Sequence, residues 1–318
     1  MHRSILKALV TLGLASACAL AAAQGKTTRV LVAFPPGGPV DFTARTLSEQ
    51  LGKELNQTVI IENRAGANGA IAAEVLLKAP ADGTTLWLTS VGAVAINPAL
   101  YPNLPYHPQN DLAPVSLVVN NVELLVVHPG STANDPQQFI NLSRQKRITM
   151  ASSGTGSVPH LAMELLASAT QGDLVHVPYK GAAPAITDVM AGHVDGFFGD
   201  IPGLIPHIRS GKLKPVALAS KRRHPLFPDV KTFEEIGVTG VDSDNWYALF
   251  VHRNTSAADI ERLNQAVRNT LNNDAVRQKL LASGAEPAPT SPAAMAALLK
   301  ADTDKWGRVI REKKIKAD

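Results

Sequence analysis

The densest chemistry in the sequence is the stretch ASSGTGSVPH, residues 151–160. Ser152, Ser153, Thr155 and Ser157 put four hydroxyls into six residues, and Gly154 and Gly156 leave backbone N–H groups without Cβ cover. Pro159 suits the first turn of a helix, whose positive end favours an anion at the same loop. PPGGPVD, residues 35–41, repeats the device: the apolar run VLVAF stops at two prolines and two glycines, and a helix opens near Val40. Gly37 and Gly38 let backbone N–H groups approach an anion, which makes a carboxylate site without an arginine. Asp41 has two readings, as N-cap of that helix or as a contact to ligand or ordered water. Arg45, one turn on, is expected to pair with Asp41 at the surface.

Other chemistries find less support. Ser157 and His160 share a first helical turn, which raises a serine hydrolase, but GTGSV is not the GxSxG elbow and no orienting acid can be assigned. His160 reads better as structural, bonding loop backbone beneath a pocket. GTGSVP fails GxGxxG, so no dinucleotide cofactor is expected. The nine histidines show no HExxH or comparable spacing, so no metal is expected either. Lys180 in YKGAAP offers a positive charge that ordinary surface lysines also offer, and Tyr179 fits core or cleft wall. Asp200, at the end of DGFFGD, fits a cleft residue or a helix cap. Trp87 and Trp246 lie in apolar runs and read as packing.

The elements that must position these loops alternate. TRVLVAF, TVIIENR and TTLWLTS read as strands separated by helices at VDFTARTLSEQLGKEL and GANGAIAAEVLLKAP. Five prolines from Asn97 through Pro114 mark an irregular excursion, and VSLVVNNVELLVVHPG then gives two β runs separated at Asn120-Asn121. RITMASS, DLVHVPYK, DGFFGD and LKPVALAS repeat the alternation with helices between them, and NWYALFVHR reads as a crossing back before a helical C-terminus. The expected fold is α/β, with two lobes, each a mostly parallel sheet covered by helices, and the ligand cleft between them. Residues 26–122 with 246–318 are expected to form one lobe and residues 123–245 the other. Ligands in such sheets sit beyond the carboxyl ends of strands, where the hydroxyl and glycine loops fall.

Composition narrows the classes. Residues 1–23 read as a secretory signal peptide, with Arg3 and Lys7 before an apolar core and Ala21-Ala22-Ala23 as cleavage site; a lipid-modified Cys18 is a lesser reading. The mature chain is therefore expected to be exported, which in a bacterium means the periplasm. Cys18 is the only cysteine, so a mature chain has no disulfide or thiol nucleophile. Losing Arg3 and Lys7 takes the formal charge from +4 to +2, too little for a nucleic-acid surface but compatible with a small anion.

PPGGPVDFTAR, ENRAGANGAIAAE, APADGTTLWL, GTGSVPHLAMELL, VPYKGAAPAITDVMAGHVDGFF, LKPVALAS and NWYALF, in this order and spacing, resemble the Bug-type solute receptors of the tripartite tricarboxylate transporter system. The resemblance covers essentially the whole chain after the leader. It implies a type II-like periplasmic binding protein, non-catalytic, that closes on a small organic acid: a di- or tricarboxylate, an acidic amino acid or an aromatic acid. It also implies membrane permease subunits as partners. In that family the two glycine loops clamp a carboxylate through backbone amides and waters. This maps onto Gly37, Gly38, Val40 and Asp41 on one side and Ser153, Thr155, Gly156, Ser157 and His160 on the other, with Ser90, Lys180 and Asp200 behind them. One segment departs: after NWYALF this chain has VHRNTSAAD in place of a Pro- and Gly-containing turn. A monomer is expected. The rival readings are a ligand-sensing subunit for a membrane signalling protein and a periplasmic hydrolase using Ser157.

Overall fold

A computed structural model describes residues 26–316. The expected leader, with Cys18, lies outside the described residues. The chain opens with β1 (Thr27–Val32), α1 (Pro39–Leu55), β2 (Thr58–Asn63), α2 (Ala70–Leu77) and β3 (Thr85–Ser90). A π-helical turn at Gly92–Ile96 and two one-turn helices, α3 (Asn97–Leu100) and α4 (Pro108–Asp111), lead into β4 (Leu112–Asn121). The second set runs β5 (Glu123–Val127), α5 (Pro136–Gln145), β6 (Ile148–Ser152), α6 (Val158–Thr170), β7 (Leu174–Pro178), α7 (Ala182–Ala191), β8 (Gly196–Asp200), α8 (Ile201–Arg209) and β9 (Lys214–Leu218). After a loop segment come β10 (Asn245–His252), α9 (Ala257–Asn272), α10 (Asp274–Ser283), β11 (Glu286–Pro287) and α11 (Pro292–Lys313).

Two sheets result, in the orders β11-β4-β10-β3-β1-β2 and β7-β6-β8-β5-β9. The fold is therefore the two-lobe α/β arrangement, and each sheet is mixed. β1 runs parallel to β2 and β3, and β6 parallel to β7 and β8, because helices carry the chain back over each crossover. β10 pairs antiparallel with β3 and β4, and β5 with β8 and β9. These strands arrive from the other lobe rather than over a crossover helix, so nothing forces them parallel.

The first core gathers Leu31, Trp87, Tyr247 and Phe250 around its sheet, with α9 and α11 behind. The second sheet is covered on both faces, by Phe139, Met150, Phe198 and Phe233 on one and by Phe197, Ile201 and Leu204 on the other. Trp87 is packing, as its strand position implies, edge-on to Tyr106 at 5.8 Å. Trp246 is 4% exposed, and its indole N–H donates to Asp302 at 2.6 Å.

Three local features differ from the sequence reading. β4 continues through Asn120 and Asn121, which pair with Trp246 and Asn245 of β10, so the chain changes sheets at Val122. The proline-rich excursion contains helical turns because Pro98 and Pro108 sit in first turns, where the missing N–H costs nothing. α5 was not foreseen; Asp135 caps it by accepting from the Gln138 N–H at 2.8 Å, and Phe139 and Ile140 bury its short apolar face.

Candidate functional site

The first glycine loop is fastened from within. Gly37 takes φ +84°, and Gly38 caps α1 with extended backbone. Asp41 lies in the first turn and does not cap it. Its carboxylate accepts from the Gly37 N–H at 3.0 Å, Arg45 Nε at 2.9 Å and Asn63 Nδ2 at 2.9 Å, and Asn63 also donates to the Phe34 carbonyl. Burial alone would raise this carboxyl, but donors from Arg45, Gly37 and Asn63 outweigh it and hold Asp41 below the usual carboxylate range. Asp41 is thus an ionised clasp, and the pair with Arg45 is present as expected. The first-turn N–H groups of α1 have no carbonyl one turn back, which leaves Val40 facing the cleft with a donor.

The second loop closes on itself similarly. The Gly154 N–H donates to Ser152 Oγ at 3.1 Å, and the Gly156 N–H to His160 Nδ1 at 3.2 Å. Neither glycine amide is left open, contrary to the expectation for Gly154 and Gly156. Ser157 caps α6 by accepting from the His160 N–H at 3.5 Å. Ser152 Oγ lies 2.6 Å from His176 Nε2, and the His160 and His176 rings stack at 3.9 Å. His160 is therefore a buried prop beneath the loop, as its structural reading implies.

The two loops meet across the cleft. Gly38, Val40, Ser90, Ser153, Ser157 and Asp200 line a small space of about 30 Å³. Thr155 and Lys180 line an adjoining cavity of about 240 Å³, and Phe34 and Ser153 border both. Gly37, Asp41, Gly156 and His160 line neither; they hold the lining residues in place. The lobes touch directly. The Tyr101 hydroxyl donates to the Thr155 carbonyl at 3.1 Å, and a Cβ on Gly181 would stand 2.5 Å from Pro35 Cδ. The space at the loops is smaller than a dicarboxylic acid, and the adjoining cavity supplies the remaining room.

Asp200 shows its side chain to the cleft without capping α8. Asn245 Nδ2 donates to its two oxygens at 3.0 and 3.1 Å, and the Tyr247 hydroxyl donates to Oδ2. Glu123, opposite on β5, is fully buried and accepts from Asn245 at 3.4 Å. Tyr179 is partly buried, donates to Asp188 at 2.6 Å and walls the cavity that holds Lys180. Glu123, Asn245 and Tyr247 were missed in the sequence because they sit in strands. The signal was available: Glu123 is the one carboxylate in VSLVVNNVELLVV, where every other residue is apolar or an uncharged hydroxyl or amide.

A network of asparagines supports the cleft from the first lobe. Asn68 Nδ2 donates to Asn97 Oδ1 at 2.8 Å, and Asn97 Nδ2 donates to the Asn68 carbonyl and the Tyr106 hydroxyl, each at 3.2 Å. Asn97→Ala is expected to lower stability by about 2 kcal/mol, since it strands buried partners. Urea unfolding reads this, and a loss below about 0.5 kcal/mol would show the network to be dispensable.

A larger cavity of about 610 Å³ opens on the opposite face of β10, where Asp244 and Trp246 point away from Asn245 and Tyr247. It is bordered by Lys221, Arg222 and Glu286, and none of the candidate ligand-binding residues read from the sequence lines it.

The family model described as "Tripartite tricarboxylate transporter family receptor" matches residues 43–315. Protein BugT of Bordetella pertussis is 33% identical over 307 residues, covering 96% of this chain and 94% of BugT. MatC from Rhodopseudomonas palustris, solved with bound malate, superposes with a TM-score of 0.85 at 32% identity, covering 89% of this chain and 98% of MatC. Another R. palustris protein, solved with adipate, superposes with a TM-score of 0.88 at 30% identity, covering 92% and 99% of the two chains.

Proposed function

The chain belongs to the tripartite tricarboxylate transporter receptor family, and we propose that it is an extracytoplasmic receptor that closes on a small dicarboxylate. The observation that carries this reading is the meeting of two loops from different lobes over a cavity lined by Val40, Ser90, Ser153 and Ser157 and by no lysine, arginine or histidine. One ligand carboxylate sits there on N–H and hydroxyl donors, with ordered waters completing the shell. The far end reaches the adjoining cavity, where Lys180 supplies the counter-charge. The malate and adipate bound by the two relatives support a two-carboxylate ligand.

The lobes are residues 26–122 with 246–318 and residues 123–245, hinged where β4 passes into β5 and where the return segment enters β10. Residues 1–23 direct export to the periplasm, the mature chain acts as a monomer, and the closed form docks on membrane permease subunits. The receptor leaves its ligand chemically unchanged.

A thermal-shift screen of refolded protein against malate, adipate, longer dicarboxylates, acidic amino acids and aromatic acids tests the reading, since a ligand bound only by the native state raises the melting temperature. Ser157→Ala is expected to weaken the best acid about tenfold and to lower stability by about 1 kcal/mol through the lost cap. Unshifted melting with every acid, in protein shown to be folded, would refute the carboxylate reading and direct attention to ester turnover at Ser157.

A further inference from the structure

Glu123 and Asp200 face each other in the register of β5 and β8, and both are buried. Asp200 accepts on both oxygens, from Asn245 and Tyr247, whereas Glu123 Oε2 has no hydrogen-bond partner among the described residues. Two ionised carboxylates paired side by side and buried repel strongly, so the arrangement is at rest when a proton occupies Glu123, the fully buried member. The neighbouring charges do not relieve it. Tyr247 on β10 is a neutral donor, and Asp244, just before that strand, adds negative potential. Asp242, Glu286, Lys221 and Lys305 act on Asp244 from the far side of β10. No lysine, arginine or histidine hydrogen-bonds either carboxyl among the described residues. The hydrogen bonds from Asn245 and Tyr247 and the N-terminal end of α8, which Asp200 immediately precedes, favour charge on Asp200, and of these only Asn245 reaches Glu123.

Asp200 lines the same cavity as Gly38, Ser153 and Ser157. On the carboxylate reading proposed above, on which this inference rests, the ligand brings a second negative charge beside it. We propose that Glu123 and Asp200 are a proton-sharing acid pair, and that the receptor takes up one proton from solution when it binds its carboxylate. The proton attaches at the pair, so that Asp200 becomes a neutral acid and donates toward the ligand; no other bond is made or broken.

The titration directions agree. Burial raises Glu123 far above the ordinary carboxyl range, and the adjacent Asp200 raises it further. Burial also pushes Asp200 up to about 6, against the hydrogen bonds from Tyr247 and Asn245 that lower it. The free receptor at neutral pH therefore carries its proton on Glu123 and its charge on Asp200. An arriving anion raises Asp200 again, so affinity is greatest below its free value and falls as pH rises through and beyond it.

Calorimetric titration with malate and with adipate, from about pH 6.5 to 8.5 in buffers of different ionisation enthalpy, reads the proton directly. The expected result is uptake approaching one proton per ligand and a dissociation constant that rises by up to about tenfold per pH unit. Asp200→Asn, shown folded by circular dichroism, should flatten the pH profile and abolish the uptake, and Glu123→Gln should leave a single titration at Asp200. Binding with no proton uptake and a pH-independent constant overturns the acid pair and leaves the receptor intact. A pH slope that survives in Asp200→Asn also overturns it. Failure of every dicarboxylate to bind at any pH overturns the carboxylate reading and this inference together.

Discussion

Gly181→Ala is expected to weaken ligand binding by about a hundredfold while leaving both cores folded. Gly181 has φ +112°, and its N–H donates to the Ser153 carbonyl, tying the YKGAAP loop to the hydroxyl loop of the second lobe. A Cβ there would fall 2.5 Å from Cδ and 3.1 Å from Cγ of Pro35, in the first lobe. Pro35 is a ring in a Pro-Pro pair and cannot rotate aside, so the lobes must stop short of contact. Overpacking of this kind costs roughly 1–3 kcal/mol, and about 2.7 kcal/mol is a hundredfold in affinity. Backbone strain is the competing effect, because an L-residue resists positive φ by about 1–2 kcal/mol. Gly211→Ala separates the two: Gly211 also has positive φ, at +69°, but has open space around it. Both variants should lose stability, Gly181→Ala the more because its ψ of 171° lies outside the left-handed helical region, and only Gly181→Ala should lose affinity and stay open in small-angle scattering with ligand present. Equal affinities in the two would remove the contact from the closing mechanism.

The positions of the two glycine loops were legible in the sequence for a local reason. Prolines, paired glycines and clustered hydroxyls after apolar runs determine where strands stop and helices start, whatever packs around them. Which N–H in such a loop stays open is not local. His160 takes the Gly156 amide, and Ser152, itself against His176 from β7, takes the Gly154 amide. Asp41 was ambiguous for the same reason, since Asn63, which lies on β2, completes its shell. The lobes followed from alternation, whereas the exact strand break did not, because Asn120 and Asn121 keep ladder partners on β10 that turn chemistry alone cannot foresee. Residues 123, 200 and 245 lie far apart in the chain, and only the meeting of β5, β8 and β10 brings them together.

That meeting point gives the largest stability effect. Asn245→Leu, close in volume, is expected to cost about 3–5 kcal/mol at pH 8, because it removes the amide donor shared by two buried carboxyls. The loss should depend on pH, and its sign follows from the native state. Asp200 sits at about 6 when folded against an ordinary value of 3.8, so the folded chain holds its proton more tightly than the unfolded one. Its contribution to stability is therefore fully present below about pH 4 and is lost as pH rises through about 6. Asn245 limits that loss by stabilising the ionised form. Without it the Asp200 carboxyl rises further, and the penalty continues to grow above neutrality. Below about pH 5 the pair is neutral, the lost bonds are ordinary ones, and the cost should shrink to roughly 1–2 kcal/mol. Urea unfolding of both proteins at about pH 5 and 8 measures the difference. An equal loss at the two pH values would mean that Asn245 acts by packing alone, and that neither carboxyl carries charge in the folded receptor.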